Sequence, residues 1–360
     1  MSKLVESVIA KHLPSESSGY VHKQLTGGIS SEMYKVEPIA PRNADSAIAL
    51  TIIRDPLLWW KVEQEFVLRH LMAGDVEVLL PRLYDAGFDV IEGAKIAFII
   101  REFVQGTELD TVLEQTMNTP MQERDFTSLS GDLGYRLGVM HTHGGAVFGQ
   151  LARSKEVVHP NWANFVLSEI DNEVRLTYQI SPDMQLGKIK AYDVQALLPG
   201  LQKLVGTLQS SLLAIVSPGL AHGDAHFRNI IAGKDQSHSV KVKSFIDTEE
   251  ALGGDPEIDV SFIENWLHFS TYKAEFFKKR NVFRSHYASQ RVLGPRYLDR
   301  RLIYHGLRSL SFLRTVFGFD AEEFLSANPK NGWYVFLHLQ ILRSLAEGGA
   351  LEDVAIPSLL

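Results

Sequence analysis

Three side chains with oxygen to offer, Asp224, Asn229 and Asp247, stand at the ends of a short loop and of a neighbouring strand-like run. The loop reads His222-Gly-Asp-Ala-His-Phe-Arg-Asn229 and follows an apolar segment. The run Val240 to Asp247 (VKVKSFID) alternates Val240, Val242, Ser244 and Ile246 against Lys241, Lys243, Phe245 and Asp247, which is the period of a strand with one mostly apolar face. Gly253-Gly-Asp-Pro256 follows. Two oxygens that can hold Mg²⁺, with one further carboxylate to take a proton, are what phosphoryl transfer asks of a protein.

Two other chemistries compete for these residues. In a strand His222, Asp224 and His226 would share a face, and His-x-Asp-x-His could ligate zinc in a hydrolase. That reading spends Asp224 as a ligand and leaves Asn229 and Asp247 unexplained. Glu249 and Glu250 beside Asp247 suggest the paired carboxylates of a glycosidase, but groups this close in sequence rarely stand at the required separation across a cleft. His141 and His143 could bind a metal as a His-x-His pair, yet they close an apolar stripe and have no third ligand at suitable spacing.

The order His-Gly-Asp-x-x-x-x-Asn, Ile-Asp-x-Glu, Gly-Asp-Pro-x-x-Asp resembles the aminoglycoside phosphotransferase and choline kinase-like family, small-molecule kinases with a protein-kinase-like fold. His222, Gly223, Asp224 and Asn229 match the first motif, Ile246, Asp247 and Glu249 the second, and Gly254, Asp255, Pro256 and Asp259 the third. The resemblance implies that Asp224 positions and deprotonates an acceptor hydroxyl. It implies that Asn229 and Asp247 hold Mg²⁺ on ATP or GTP, and that His222 and Asp259 brace the loop, while His226 is a variable loop residue. Glu249 would stand behind Asp247 as its partner.

The same resemblance implies a nucleotide site upstream. Leu25 to Val36 places Gly27, Gly28, Ser30 and Ser31 in a turn that could approach a phosphate, although alone it reads as an ordinary hairpin. This chain has Ser31 where family members often carry Asn. Ala47 to Arg54 (AIALTIIR) is a strand candidate, and Arg54 at its end would contact the α- and β-phosphates. Trp59 to Met72 reads as a helix, from which Glu65, or its neighbour Glu63, would pair with Arg54. Ala97 to Val104 reads as a buried strand that resembles the family's hinge, where the Glu102 carbonyl and the Val104 N–H would meet the adenine.

Flanking segments are helical by period. Leu4, Val5, Val8, Ile9 and Leu13 make one face of an N-terminal helix ending before Pro14, and Leu129, Leu133, Leu137 and Met140 make another. Trp162 to Ile170, Leu197 to Val216, Tyr297 to Phe317, Ala321 to Ala327 and Trp333 to Ala346 read as further helices, with Gly318 and Gly348 as C-caps. Asp255-Pro256 opens a helix with Asp as N-cap. The expected fold is α+β and bilobal, with an antiparallel-sheet lobe over residues 1–104 and a larger, mainly helical lobe over 105–360.

Composition bounds the partners. The chain has 360 residues, 45% hydrophobic, enough for one large core or two lobes. A net charge of −7 gives no basic footprint for nucleic acid. The absence of Cys excludes disulfides and fits a reducing cytoplasm. No apolar run reaches the roughly 20 residues of a membrane span. A monomer or homodimer is expected.

The acceptor is argued from charge. Glu249, Glu250, Asp255, Glu257, Asp259 and Glu264 are six carboxylates in a stretch without Lys or Arg. Such a field would draw in a cation, so an aminated natural product such as an antibiotic is expected, with Glu250 and Glu264 as its contacts. Trp266, His268, Tyr272 and Tyr304 are further candidates near the pocket. A metabolic kinase for an amino alcohol, sugar or homoserine-like acceptor is the alternative. An idle kinase-like binding module is the third reading, and the intact motifs argue against it.

Overall fold

Aliphatic residues at helical spacing start the chain, and α1 (Ser2–His12) buries Leu4, Val5, Val8 and Ile9. They pack on one face of an antiparallel sheet formed by β1 (Tyr20–Gln24), β2 (Glu32–Pro38), β3 (Ile48–Ile53), β4 (Leu83–Ile91) and β5 (Ala94–Glu102). The strand order is β1-β2-β3-β5-β4. Between β3 and β4 the chain forms α2 (Trp60–Leu71), which lies against the opposite face through Val62. Side chains alternate across a strand. Ile48, Leu50 and Ile52 of β3 and Ile96, Phe98 and Ile100 of β5 therefore point to α1, while Ile53, Ala97 and Ile99 point to α2. A sheet covered on both sides explains why β3 and β5 read as continuous apolar runs rather than alternating ones. The computed structural model describes residues 2–13, 19–25, 31–39, 47–73, 75, 78–91, 93–112, 123–152, 159–235, 239–269, 273–318, 321–327, 331–351 and 354.

Past Glu102 the chain crosses to the helical lobe. Gly106 is required there, because a Cβ would stand 2.6 Å from the Ala232 carbonyl oxygen. In order follow β6 (Thr107–Glu108), α3 (Glu123–Met140), β7 (Gly149–Gln150), α4 (Trp162–Tyr178), a ribbon of β8 (Gln185–Leu186) and β9 (Ile189–Lys190), α5 (Ala191–Gln195) and α6 (Leu198–Leu208). Then come β10 (Gly219–Ala221), β11 (Ile230–Lys234), β12 (Val240–Phe245), β13 (Leu252–Gly254), α7 (Glu257–Phe269), α8 (Lys273–Ala288), α9 (Tyr297–Phe317), α10 (Ala321–Ala327) and α11 (Asn331–Ala346).

Two small sheets, β10-β13-β7 and β12-β11-β6, hold the loops of interest between them. Residues 222–229 join β10 to β11, and residues 246–251 join β12 to β13. Beneath them Leu129, Leu133 and Leu137 of α3 meet Phe227, Ile230, Phe245 and Val260. A second core joins Trp162 of α4 to Ile303, Tyr304 and Leu310 of α9 and Leu339 of α11.

Some expectations change in detail. The helix expected over Leu197 to Val216 stops at Leu208 and continues as a 3₁₀ segment, Gln209–Ala214. Strand β12 does not keep one polar face to its end. Ser244 and Phe245 are both buried because the chain at Leu79 lies against them, its carbonyl accepting from the Phe245 N–H at 2.8 Å. Gly318 caps α9 in a right-handed conformation, φ −82°, whereas Gly348 takes the left-handed one, φ +78°.

Candidate active site

The loop after β10 is held from below by one carboxylate. Asp259, in the first turn of α7, accepts from the His222 N–H at 2.6 Å and from the Gly223 N–H at 3.0 Å. His141 backs it, with Nε2 3.0 Å from Asp259 Oδ2 and Nδ1 2.9 Å from the Tyr287 hydroxyl. Burial lowers the His141 pKa and keeps its imidazole neutral. Gly223 has φ +81°, and a Cβ there would fall 1.9 Å from the Glu250 carbonyl oxygen, so only glycine fits.

His222 spends both ring nitrogens inside the protein. Nε2 lies 2.9 Å from the Ile246 carbonyl oxygen, and Nδ1 accepts from the Asp224 N–H at 3.3 Å. A zinc ligand needs one of those nitrogens, so the hydrolase reading loses its first member. His143 is likewise engaged, its Nε2 2.9 Å from Asp75.

Asp224 is pinned on both oxygens. Oδ2 accepts from Asn229 Nδ2 at 3.1 Å and faces His226 Nε2 at 3.4 Å. Oδ1 accepts from Arg308 Nη2 of α9 at 2.5 Å. Burial opposes ionisation of this carboxyl, but Arg308 and then His226 outweigh it and hold the pKa well below the usual carboxylate range. His226, expected to be a variable loop residue, is therefore part of the site. The signal for it was present, since two residues past Asp224 an extended chain returns to the same face.

Asn229 also donates to the Asp224 carbonyl at 3.0 Å, which fixes its amide. Its own carbonyl accepts from the Ile246 N–H at 2.8 Å, bringing the end of β12 alongside. Asp247 follows in the left-handed region, φ 60° and ψ 58°, a strained conformation for a non-glycine residue. Desolvation first, and then the carboxylates of Glu249 and Asp224, raise the Asp247 pKa. A place where negative charge accumulates on hard oxygens fits a divalent cation. Among the described residues no group of three His, Asp or Glu is set to hold a metal. One amide and one carboxylate, with the other positions left to phosphate oxygens and water, suit Mg²⁺.

The small lobe corrects one assignment. Arg54 does not meet Glu65. Its Nε lies 2.6 Å from Glu32 Oε1, and its side chain is 47% exposed. The reason is strand parity, for Arg54 follows the side of Ile52, toward α1, and Glu32 is the cross-strand partner of Ile52. Glu65 is 1% exposed and pairs instead with Arg101 Nη2 at 2.6 Å and Arg69 at 3.0 Å. Glu63 is half-buried on the same helix. Arg101 sits on β5 opposite Ala49, on the face turned to α2, and its positive charge reaches Asp247. Lys61 meets Glu249 across the lobes, and Gln64 donates to the Ala251 carbonyl at 2.6 Å and accepts from the Ala152 N–H at 2.8 Å. These contacts fasten α2 to the helical lobe.

The remaining nucleotide-site expectations are placed as follows. Gly27, Gly28 and Ser30 lie outside the described residues, and Ser31 directly precedes β2. Glu102 ends β5, its N–H donating to the Arg82 carbonyl at 2.8 Å. The Val104 N–H makes no hydrogen bond among the described residues.

The acidic stretch dissolves into pairs. Asp255 and Glu257 share Arg300, and all three are buried. Asp255 also caps α7 by accepting from the Glu257 N–H at 3.1 Å, and Tyr304 donates to it. Glu264 is not a substrate contact. It is fully buried between Arg284 Nε at 2.6 Å and Arg301 Nε at 2.8 Å. Only Glu250 is exposed, with Gln150 Nε2 3.4 Å away. The side chains of Trp266 and His268, and Tyr272 as a whole, lie outside what is described.

Solved structures share this architecture. The chain is similar to a spectinomycin phosphotransferase solved with ADP and spectinomycin, at a TM-score of 0.57 and 14% identity over 96% of both chains. The AMP-bound complex of a spectinomycin phosphotransferase gives 0.57 and 14% over 98% of this chain and 99% of that one. An aminoglycoside 2′-phosphotransferase in complex with GDP gives 0.52 and 14% over 96% of this chain and 97% of that one. No family model matches the sequence, and no curated protein does. The fold is thus the bilobal, kinase-like α+β fold of the aminoglycoside phosphotransferases, the same proteins that the three motifs resemble. No helix among the described residues is long and apolar enough to cross a membrane.

Proposed function

We propose that this chain is a small-molecule O-phosphotransferase, moving the γ-phosphoryl group of ATP or GTP to an acceptor hydroxyl. One observation carries the reading. A single loop holds Asp224 against Asn229, and the hydrogen bond that the Ile246 N–H donates to the Asn229 carbonyl brings Asp247 alongside. Residues 1–104 would bind the nucleotide, and 105–360 would supply the catalytic loop and the acceptor site.

Asp224 accepts the acceptor's O–H and turns its oxygen toward the phosphoryl group. Its depressed pKa makes it a weak base, so it takes the proton late, as the new P–O bond forms. Asn229 and Asp247 are the residues that would hold Mg²⁺, which when bound neutralises phosphate charge. Arg101, steadied by Glu65, replaces Arg54 as the cation for the α- and β-phosphates. His222 and Asp259 keep the loop in shape. The aminated acceptors of the structural neighbours do not transfer by fold alone.

The test is a screen for ADP or GDP release over aminated antibiotics, amino alcohols, sugars and hydroxy acids. Turnover that needs Mg²⁺ and vanishes in Asp224→Asn, with nucleotide binding retained, is the expected outcome. Full activity in that variant would defeat the assignment.

A further inference from the structure

Resting on the phosphotransfer reading, we infer that the acceptor carries an anionic group, a carboxylate or a phosphate ester, and that Arg308 receives it. This reverses the cationic acceptor expected from the sequence. The geometry of Asp224 decides which way an acceptor approaches. Oδ2 is occupied by Asn229 and His226. Oδ1, held by one nitrogen of Arg308, is the oxygen left for an acceptor hydroxyl. An acceptor reaching Oδ1 therefore lies against the Arg308 guanidinium.

Arg308 is built to be shared. Its side chain is 30% exposed, and Nε and Nη1 make no hydrogen bond among the described residues. The guanidinium lies over the Phe262 ring, 5.1 Å from its centre, which fixes its plane without consuming its donors. An anion can bind that open edge while Nη2 keeps its hold on Asp224. The loop carries a second guanidinium. Arg228, in the loop itself, lies over the Tyr334 ring of α11 at 5.4 Å, with Asp110 3.7 Å from its Nε.

Most of the acidic stretch is already paired. Five of the six carboxylates between residues 249 and 264 are held by Lys61, Arg300, Arg284, Arg301 or the loop's own N–H groups. Of these six Glu250 alone is exposed, with Gln150 Nε2 3.4 Å from its carboxylate. His338, half-buried on α11, is held neutral by desolvation and then by Arg308. An ammonium group set at Oδ1 would face the Arg308 guanidinium and no exposed carboxylate from α7.

The experiment needs no known acceptor. Protein loaded with Mg–ADP is titrated with glycerate, glycerol 3-phosphate, sulfate or ethanolamine while the melting temperature is followed. Glycerate or glycerol 3-phosphate should stabilise the wild type and ethanolamine should not. Arg308→Gln should weaken the anion response about tenfold, the worth of one charged hydrogen bond. The response should persist when a non-hydrolysable Mg–ATP analogue replaces Mg–ADP, which separates an anion at Arg308 from one in the γ-phosphate position. A response to glycerate alone assigns a carboxylate, and a response to the phosphate ester and sulfate assigns a phosphate. Stabilisation by ethanolamine alone, no response to any probe, or an anion response indifferent to Arg308→Gln overturns the inference. In the turnover screen, Arg308→Gln should raise KM for anionic acceptors more than it lowers kcat. Equal loss for acceptors of every charge would place Arg308 on the transferring phosphoryl group instead. Failure of Mg–ADP itself to stabilise the wild type is a separate readout and defeats the phosphotransfer reading.

Discussion

Two carboxylates each hold a guanidinium that arrives from a distant part of the chain. Glu65 holds Arg101 in the small lobe, and Asp224 holds Arg308 in the large one. The first pair is closed, with Glu65 1% exposed and a second arginine, Arg69, on its other oxygen. The second is open, with Asp224 19% and Arg308 30% exposed. A closed pair is costly to break and gains nothing by moving, so it serves as a fixed clamp. An open pair exchanges partners cheaply, so it suits the place where an acceptor must enter. The two lobes thus use the same chemical pair for opposite ends.

The largest effect should come from the open pair. Asp224→Ala removes the group that orients the hydroxyl and takes its proton, and turnover should fall by ~10²–10⁴. Nucleotide affinity, measured by equilibrium binding of ADP, should change little. If affinity fell as far as turnover, Asp224 would be holding the nucleotide side and the contrast between the two pairs would collapse.

Breaking the closed pair comes next. Arg101→Gln removes a charged donor from the nucleotide phosphates, worth about 1.5–3 kcal/mol, or roughly 10–100-fold in nucleotide KM. It also leaves Glu65 buried with Arg69 alone, so the melting temperature should drop. A change in melting temperature with an unaltered nucleotide KM would make Arg101 a structural residue only.

These pairs also mark what could be read from the sequence. The catalytic loop was legible because its contacts are local. Asp224 to Asn229 spans one turn of chain, and Asp259 lies in the helix opened by its own Asp255-Pro256 cap. Arg54 was misread because β3 is covered on both faces, and burial erases the alternation that would tell which way Arg54 points. Arg101 was hidden in an apolar run for the same reason. Arg308 stands 84 residues from Asp224, in a helix whose face toward the loop is set by packing on α4 and α11. The acidic run misled because charge adjacency in sequence says nothing of partners. Arg284, Arg300 and Arg301 come from α8 and α9.

A smaller effect, on stability rather than chemistry, tests the surroundings of the open pair. His338 has its pKa pushed down from 6.5 to about 3, by burial and then by Arg308. The unfolded chain binds a proton that the folded chain refuses, so stability is full above pH 6.5 and is lost as pH falls from there toward 3. The slope is about 1.4 kcal/mol per pH unit for such a site. His338→Gln keeps a polar partner for the Ser309 hydroxyl, 3.1 Å from Nδ1, and should flatten the fall of the melting temperature between pH 6.5 and 5. The buried His141 adds its own share in the same direction, so the profile should flatten only in part. An unchanged profile would remove His338 from the account.

The smallest effect belongs to Arg54, and it sharpens the comparison most. By its place at the end of β3 this residue is the natural candidate for the phosphate cation, whereas parity turns it outward to Glu32 on the α1 side of the sheet. Arg54 and the hydrogen bond it donates hold the Glu32 pKa down, so the pair is real, but a side chain 47% exposed makes it a surface pair. Such pairs contribute about 0–1 kcal/mol. Arg54→Gln should therefore leave nucleotide KM within about twofold of wild type, inside that same range of energy. The double variant with Arg101→Gln should behave as Arg101→Gln alone, because the two side chains lie on opposite faces and share no partner. A large rise in nucleotide KM for Arg54→Gln, or a strong coupling between the two substitutions, would return the phosphate-binding role to Arg54 and leave Glu65 and Arg101 as scaffold.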